Sequence, residues 1–109
     1  MTDKIVIFST CPTAEEAEKV AKTLIEKHLA ACVTLIPGAR SIYRWQGAIE
    51  EASEHLLLIK SRRDLFAQLK EELGSVHSYE VPEILALPVV EGSPAYIDWI
   101  DKELKDNTE

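Results

Sequence analysis

His77 and Glu83 are the residues whose chemistry can be read first. A neutral imidazole nitrogen and a carboxylate oxygen both suit Cu²⁺, Zn²⁺ and similar divalent ions. The two lie six positions apart, so they reach one ion only if the chain between them folds back. The competing reading is structural: His77 caps a loop, and Glu83 accepts a hydrogen bond at a subunit boundary. Cys11 is the next candidate, because it stands just ahead of a predicted helix. A helix N-terminus lowers a thiol pKa, and the resulting thiolate suits soft ions such as Cu(I). The alternative makes Cys11 a small turn residue. Cys32 falls inside a predicted strand and reads as an inert core thiol.

Tyr43, Trp45, Tyr79 and Trp99 are large rings in a chain that is only 6% aromatic. Stacking on a ligand is one use for them; packing at an interface or in the core is favoured. Lys60, Arg62 and Arg63 surround the start of a second predicted helix, where cations have the wrong sign for the dipole. Pairing with acidic side chains is favoured there over gripping an anion. Glu50, Glu51 and Glu54 read as a solvated acidic face, and His28 and His55 as exposed residues without a role. The sequence has no G-x-S-x-G, no phosphate-binding glycine loop, no Cys–His couple and no paired carboxylates, which points away from an enzyme.

The elements must position these residues within one domain. A chain of 109 residues, 46% hydrophobic and 28% charged, has the size and composition of a single globular domain over residues 1–109. A net charge of −7 repels phosphate backbones, so nucleic acid is not an expected partner, whereas cations are compatible. Two cysteines without a C-x-x-C pair make no disulfide framework. Neither a signal peptide nor a membrane-length apolar run is visible, so the expectation is cytoplasmic, with reduced thiols and no membrane contact.

Ile5-Val6-Ile7-Phe8 reads as a buried strand ended by Pro12-Thr13. Thr13 and Glu16 form a capping-box pattern, and Ala14, Ala17, Val20, Ala21, Leu24, Ile25 and Leu29 continue as one helical stripe. Ala31 to Ile36 is a second strand, bent at Pro37-Gly38 and extended again to Trp45. A turn at Gln46-Gly47 returns the chain through a third strand ending near Lys60. Ser61 with Asp64 repeats the capping pattern before a helix carrying Leu65, Phe66, Leu69 and Leu73, which Gly74 should terminate. Pro82 to Val89 is a fourth strand, with Pro88 marking an edge or an end. Ser93-Pro94 opens a C-terminal helix, and the polar tail from Lys105 to Glu109 should fray. The order predicts an α+β fold, a split βαβ sandwich with an antiparallel sheet and helices on one face.

The hairpin fits a monomer poorly. At about 3.3 Å per residue it would run roughly 50 Å, beyond the reach of the helices. Its far end carries Ile42, Tyr43, Trp45 and Ile49, which need another surface. Packing on a neighbouring subunit follows.

Three stretches in order, Ala30 to Gly38, Ser41 to Gly47 and His77 to Ile84, together with Tyr96-Ile97-Asp98-Trp99-Ile100, resemble the CutA family of divalent-cation tolerance proteins. The resemblance spans about residues 4–103. It implies a ferredoxin-like fold, a tight homotrimer joined through the long hairpin, and a role in tolerance of copper and other divalent metals. It also implies a metal site whose histidine and glutamate map onto His77 and Glu83. The metal-linked cysteine of some members falls at Ser9, two residues before Cys11. A second reading, by analogy of fold, is a small-ligand signalling module of the PII type, with sites in inter-subunit clefts and roles for Arg62, Arg63 and Tyr79. A third is a structural trimer.

Overall fold

A computed structural model describes residues 1–106 of the chain. In chain order the elements are β1 (Lys4–Cys11), α1 (Ala14–Glu26), β2 (Cys32–Trp45), β3 (Ala48–Arg62), a short 3₁₀ turn (Arg63–Leu65), α2 (Phe66–Val76), β4 (Leu85–Pro88) and α3 (Pro94–Glu103). The sheet is antiparallel throughout, in the order β2-β3-β1-β4, which is the split βαβ arrangement.

Strand alternation decides which side chains meet the helices. Ile5, Ile7 and Cys11 of β1 and Leu57 and Ile59 of β3 lie on one face and are buried against Ala17, Val20 and Leu24 of α1 and Leu69 and Leu73 of α2. Val6, Phe8, Leu56 and Leu58 point the other way and are only half-buried. On that second face Leu85, Leu87 and Ile36 are exposed.

Local signals explain most boundaries. The Thr13 hydroxyl accepts the backbone N–H of Glu16 at 3.1 Å and caps α1. Ser93 does the same for Tyr96 at 3.3 Å, with Pro94 opening α3. Gln46 and Gly47 have φ of 50° and 82°, the paired left-handed conformation of a two-residue hairpin turn. The β2–β3 register slips between Ile36 and Ala39, a bulge at which Gly38 takes φ 79°.

Other expectations need correction. Ser61 caps nothing: β3 runs on to Arg62 because Lys4 pairs with it, and the buried Ser61 hydroxyl donates to the Leu29 carbonyl at 2.6 Å. Gly74 does not end α2, which continues to Val76. Leu29 lies beyond α1, yet it stays in the core because its N–H bonds back to the Leu24 carbonyl. β4 is shorter than Pro82–Val89. Lys105 is tied down: its N–H bonds to the His28 carbonyl at 2.9 Å, and its own carbonyl accepts from Arg62 at 2.8 Å. Residues 107–109 of the expected frayed tail lie outside the described residues.

Ile100 and Leu104 anchor the C-terminal helix in the core, and ion pairs add to that hold. Asp101 accepts from the buried Lys4 ammonium at 3.0 Å and from Arg62 Nη1 at 3.2 Å, while Arg62 Nε donates to Asp64 at 2.7 Å. Burial alone would lower the Lys4 pKa, but Asp3 and Asp101 outweigh it and leave the ammonium above its ordinary value. The same contacts overcome burial at Asp101 and hold its carboxyl below the usual range. Arg62 is thus consumed in ion pairs, as the sequence favoured. Lys60 instead donates to the Thr34 hydroxyl at 2.7 Å, with the Cys32 sulfur 3.7 Å away.

Candidate metal centre

The end of β1, the first turn of α1 and the segment after α2 meet at one point. Cys11 is the last residue of β1, Glu16 sits in the first turn of α1, and His77 follows α2 directly. Each offers one ligand atom, and these atoms all lie within 4.8 Å of one another. The structure therefore brings together two of the three residues singled out in the sequence, Cys11 and His77. Glu83 stands outside the group and is exposed.

Glu16 is the residue that sequence reasoning missed. The capping-box pattern predicts that its side chain folds back onto the helix start. Instead its carboxylate reaches across to the other element. Oε2 accepts the Ser78 N–H at 3.0 Å and lies 3.3 Å from His77 Nδ1. Burial would raise the Glu16 pKa, but the Ser78 hydrogen bonds and the nearby Lys19 hold it below the usual carboxylate range. An acidic residue at the third position of a capped helix carried no separate signal in the sequence.

His77 is buried and fully hydrogen-bonded. Nε2 lies 2.7 Å from the Thr10 carbonyl, and Nδ1 lies 3.0 Å from the Tyr79 backbone nitrogen. A carbonyl can only accept and an amide N–H can only donate, so the proton resides on Nε2 and Nδ1 carries the lone pair. Nδ1 also faces Glu16, which makes it the atom available to an ion.

Cys11 differs from the sequence expectation. It ends a strand and is fully buried, so the helix dipole does not expose a thiolate. Burial, with Glu16 and Glu54 nearby, pushes its pKa up to about 12. Ser9, two residues earlier on the same strand face, is buried too, and its hydroxyl has no partner among the described residues.

Beside this group lies a cleft of about 570 Å³ between the hairpin and the segment from Ser78 to Glu83. Tyr43, Trp45 and Tyr79 line it together with Glu50, Glu80 and Glu83. Glu54 is buried instead of lying on a solvated face, and it accepts from the Tyr79 phenol at 2.8 Å and the Ser41 hydroxyl at 2.6 Å. Burial and that carboxylate push the Tyr79 phenol up to about 12. Trp99 is elsewhere, on α3, stacked on Tyr96 with ring centres 5.5 Å apart. Cys32 is half-buried beside Lys60, not enclosed in the core. Of the remaining histidines, His28 is exposed and lies 3.1 Å from the Glu103 carbonyl through Nδ1, and His55 is half-buried.

Comparison with known proteins gives a consistent result. Residues 5–103 match the family model described as CutA1 divalent ion tolerance protein. A divalent-cation tolerance protein CutA from Thermus thermophilus is 48% identical over 103 residues, 94% of this chain and 96% of its own length. Protein CutA from Mus musculus is 50% identical over 93 residues, but there the alignment spans 85% of this chain and only 52% of the mouse protein. Among solved structures, CutA from Xylella fastidiosa superposes with a TM-score of 0.93 at 43% identity, covering 95% of this chain and all of that one. A CutA from Archaeoglobus fulgidus, described as periplasmic, superposes with a TM-score of 0.91 at 41% identity over 94% of this chain and 99% of that one. No helix among the described residues is long and apolar enough to cross a membrane. A model match over nearly the whole sequence, together with relatives near half identity, places the chain in the CutA1 divalent ion tolerance protein family.

Proposed function

We propose that the protein is a homotrimeric, cytoplasmic binder of divalent metal ions that takes part in the response to those ions, and that it is not an enzyme. The observation that carries this reading is the convergence of Cys11, Glu16 and His77 within 4.8 Å. Sulfur, nitrogen and oxygen donors from three residues, with a position left for water, suit Zn²⁺, and the imidazole and thiolate also suit copper. The Cys11 proton must leave when an ion arrives, and the charge of the ion drives that loss. The family description, divalent ion tolerance, supports the same reading.

Trimer formation is supported by what the monomer leaves uncovered. Ile42, Trp45 and Ile49 on the hairpin arm are at least 60% exposed, and Leu85 and Leu87 extend the apolar sheet face to its edge. Copies of this chain are the occupant that fits, because the arm and an unpaired edge strand come from the same fold.

The test is calorimetry on tag-free protein with Zn²⁺ and, separately, Cu²⁺. Saturable binding near one ion per chain, lost in His77→Ala and in Cys11→Ser, is expected. Absence of saturable binding for both ions overturns the metal reading. Light scattering at micromolar concentration should report three chains, and a monomer overturns the trimer.

The 570 Å³ cleft favours a second reading, the small-ligand module. Its rings and carboxylates would take a cationic ligand. Arg62 and Arg63 do not line it, so the residues at stake become Tyr43, Trp45 and Tyr79. A metabolite thermal-shift screen without hits counts against this reading.

A further inference from the structure

We infer that ion binding at the Cys11–Glu16–His77 group and the Tyr79–Glu54 contact that ties the hairpin are linked, because the ion and the Tyr79 backbone N–H compete for one lone pair on His77. This inference rests on the metal reading and concerns how that site is regulated.

The competition follows from the hydrogen-bond inventory. A neutral imidazole has one donor nitrogen and one lone pair. Nε2–H is spent on the Thr10 carbonyl at 2.7 Å, so Nδ1 alone can bind an ion. Nδ1 already accepts the Tyr79 N–H at 3.0 Å. Glu16 faces no such conflict. A carboxylate has about four acceptor positions, so it can keep the Ser78 N–H at 3.0 Å and still ligate. The exchange therefore falls on Tyr79.

Tyr79 is also the link to the hairpin. Its phenol donates to the buried Glu54 of β3, which in turn holds Ser41 of β2. Its ring lines the cleft with Tyr43 and Trp45. When an ion takes the His77 lone pair, the Tyr79 amide must find another acceptor, and its backbone shift strains the phenol–Glu54 contact. Linkage is reciprocal: whatever weakens the grip of Tyr79 on Glu54 must strengthen ion binding by the same factor.

The experiment uses Zn²⁺, which is diamagnetic, on the full chain in the Trp99→Phe background, where Trp45 is the remaining tryptophan. Zn²⁺ should shift the Tyr79 amide resonance and change Trp45 emission, with both responses saturating at the calorimetric stoichiometry. Tyr79→Phe, which keeps the ring and the amide but drops the phenol, should bind Zn²⁺ about 5- to 10-fold more tightly, within the usual range of coupling. Cys11→Ala should abolish the emission change. Saturable Zn²⁺ binding with an unmoved Tyr79 amide and unchanged Trp45 emission overturns the linkage and leaves the metal site standing. Unchanged affinity in Tyr79→Phe also overturns it. No Zn²⁺ binding at all overturns both.

Discussion

The Glu54 carboxylate, buried on β3, accepts the phenol of Tyr79 at 2.8 Å, and this contact ties the segment after α2 to the hairpin. Tyr79→Phe leaves Glu54 with the Ser41 hydroxyl alone among its named partners. An under-satisfied buried carboxylate should cost about 1–3 kcal/mol, measured by urea denaturation. Glu54→Gln keeps the shape and removes the charge, so it should cost less than Tyr79→Phe. The reverse order would show that the phenol contact does not hold the segment.

Alkaline pH should destabilise the protein in a defined window. Cys11 titrates near 12 in place of 9.0, Tyr79 near 12 in place of 10.0, and Lys4 above 10.5. In each case the folded state holds its proton more tightly than the unfolded chain. Their contribution is therefore complete below about pH 9 and is lost as pH rises toward 12. Unfolding free energies between pH 8 and 11 should fall, with a shallower slope in Cys11→Ala. An identical slope would show that the Cys11 thiol does not take part.

At acid pH the relevant groups are Asp101 and Glu16, both held below their ordinary values of 3.8 and 4.5. Their contribution is present above those values and is lost as pH falls through the lower folded-state ones. Asp101→Asn removes the acceptor shared by Lys4 and Arg62. The half-exposed position of Asp101 limits the loss, which should be about 1 kcal/mol at neutral pH, with a reduced acid dependence. Thermal melts at pH 3 and pH 7 measure both.

The two thiols should differ in reactivity. Cys11 is fully buried with a raised pKa, whereas Cys32 is half-buried. Iodoacetamide at pH 8 should label Cys32 first, with Cys11 slower by on the order of a hundredfold until the chain is unfolded. Mass spectrometry of peptides decides the order, and equal rates would contradict the enclosed position of Cys11.

Assembly should depend on the arm. Trp45→Ala combined with Ile42→Asp removes its two exposed apolar anchors on opposite faces of β2. Light scattering should show a shift toward the monomer at micromolar concentration. An unchanged trimer would place the interface elsewhere.

Much of this architecture was legible because the signals were local. Thr13, Ser93-Pro94, Gln46-Gly47 and Pro37-Gly38 each perform the backbone task their residue types suit. Ser61 was misread because strand pairing with β1 outweighs a capping pattern. The candidate site was half legible. Cys11 and His77 stand far apart in sequence and meet through the fold, whereas Glu16 was hidden behind its helical role. Glu83 matched by ligand type, but the chain after His77 carries it to the rim of the cleft. Chemistry-bearing residue types are visible in one dimension; their convergence is a tertiary property.

The bulge between Ile36 and Ala39 has a consequence for the far half of the hairpin. Before it, Cys32, Thr34 and Ile36 stand opposite Lys60, Leu58 and Leu56; after it, Ala39, Ser41 and Tyr43 stand opposite Glu54, Ala52 and Glu50. The extra residue moves β2 from even to odd phase while β3 keeps its own. A β2 of the same length paired without the bulge would keep its even phase, turning Arg40, Ile42 and Arg44 toward the cleft and sending Ser41, Tyr43 and Trp45 to the opposite side. The bulge thus selects whether that surface is aromatic or cationic.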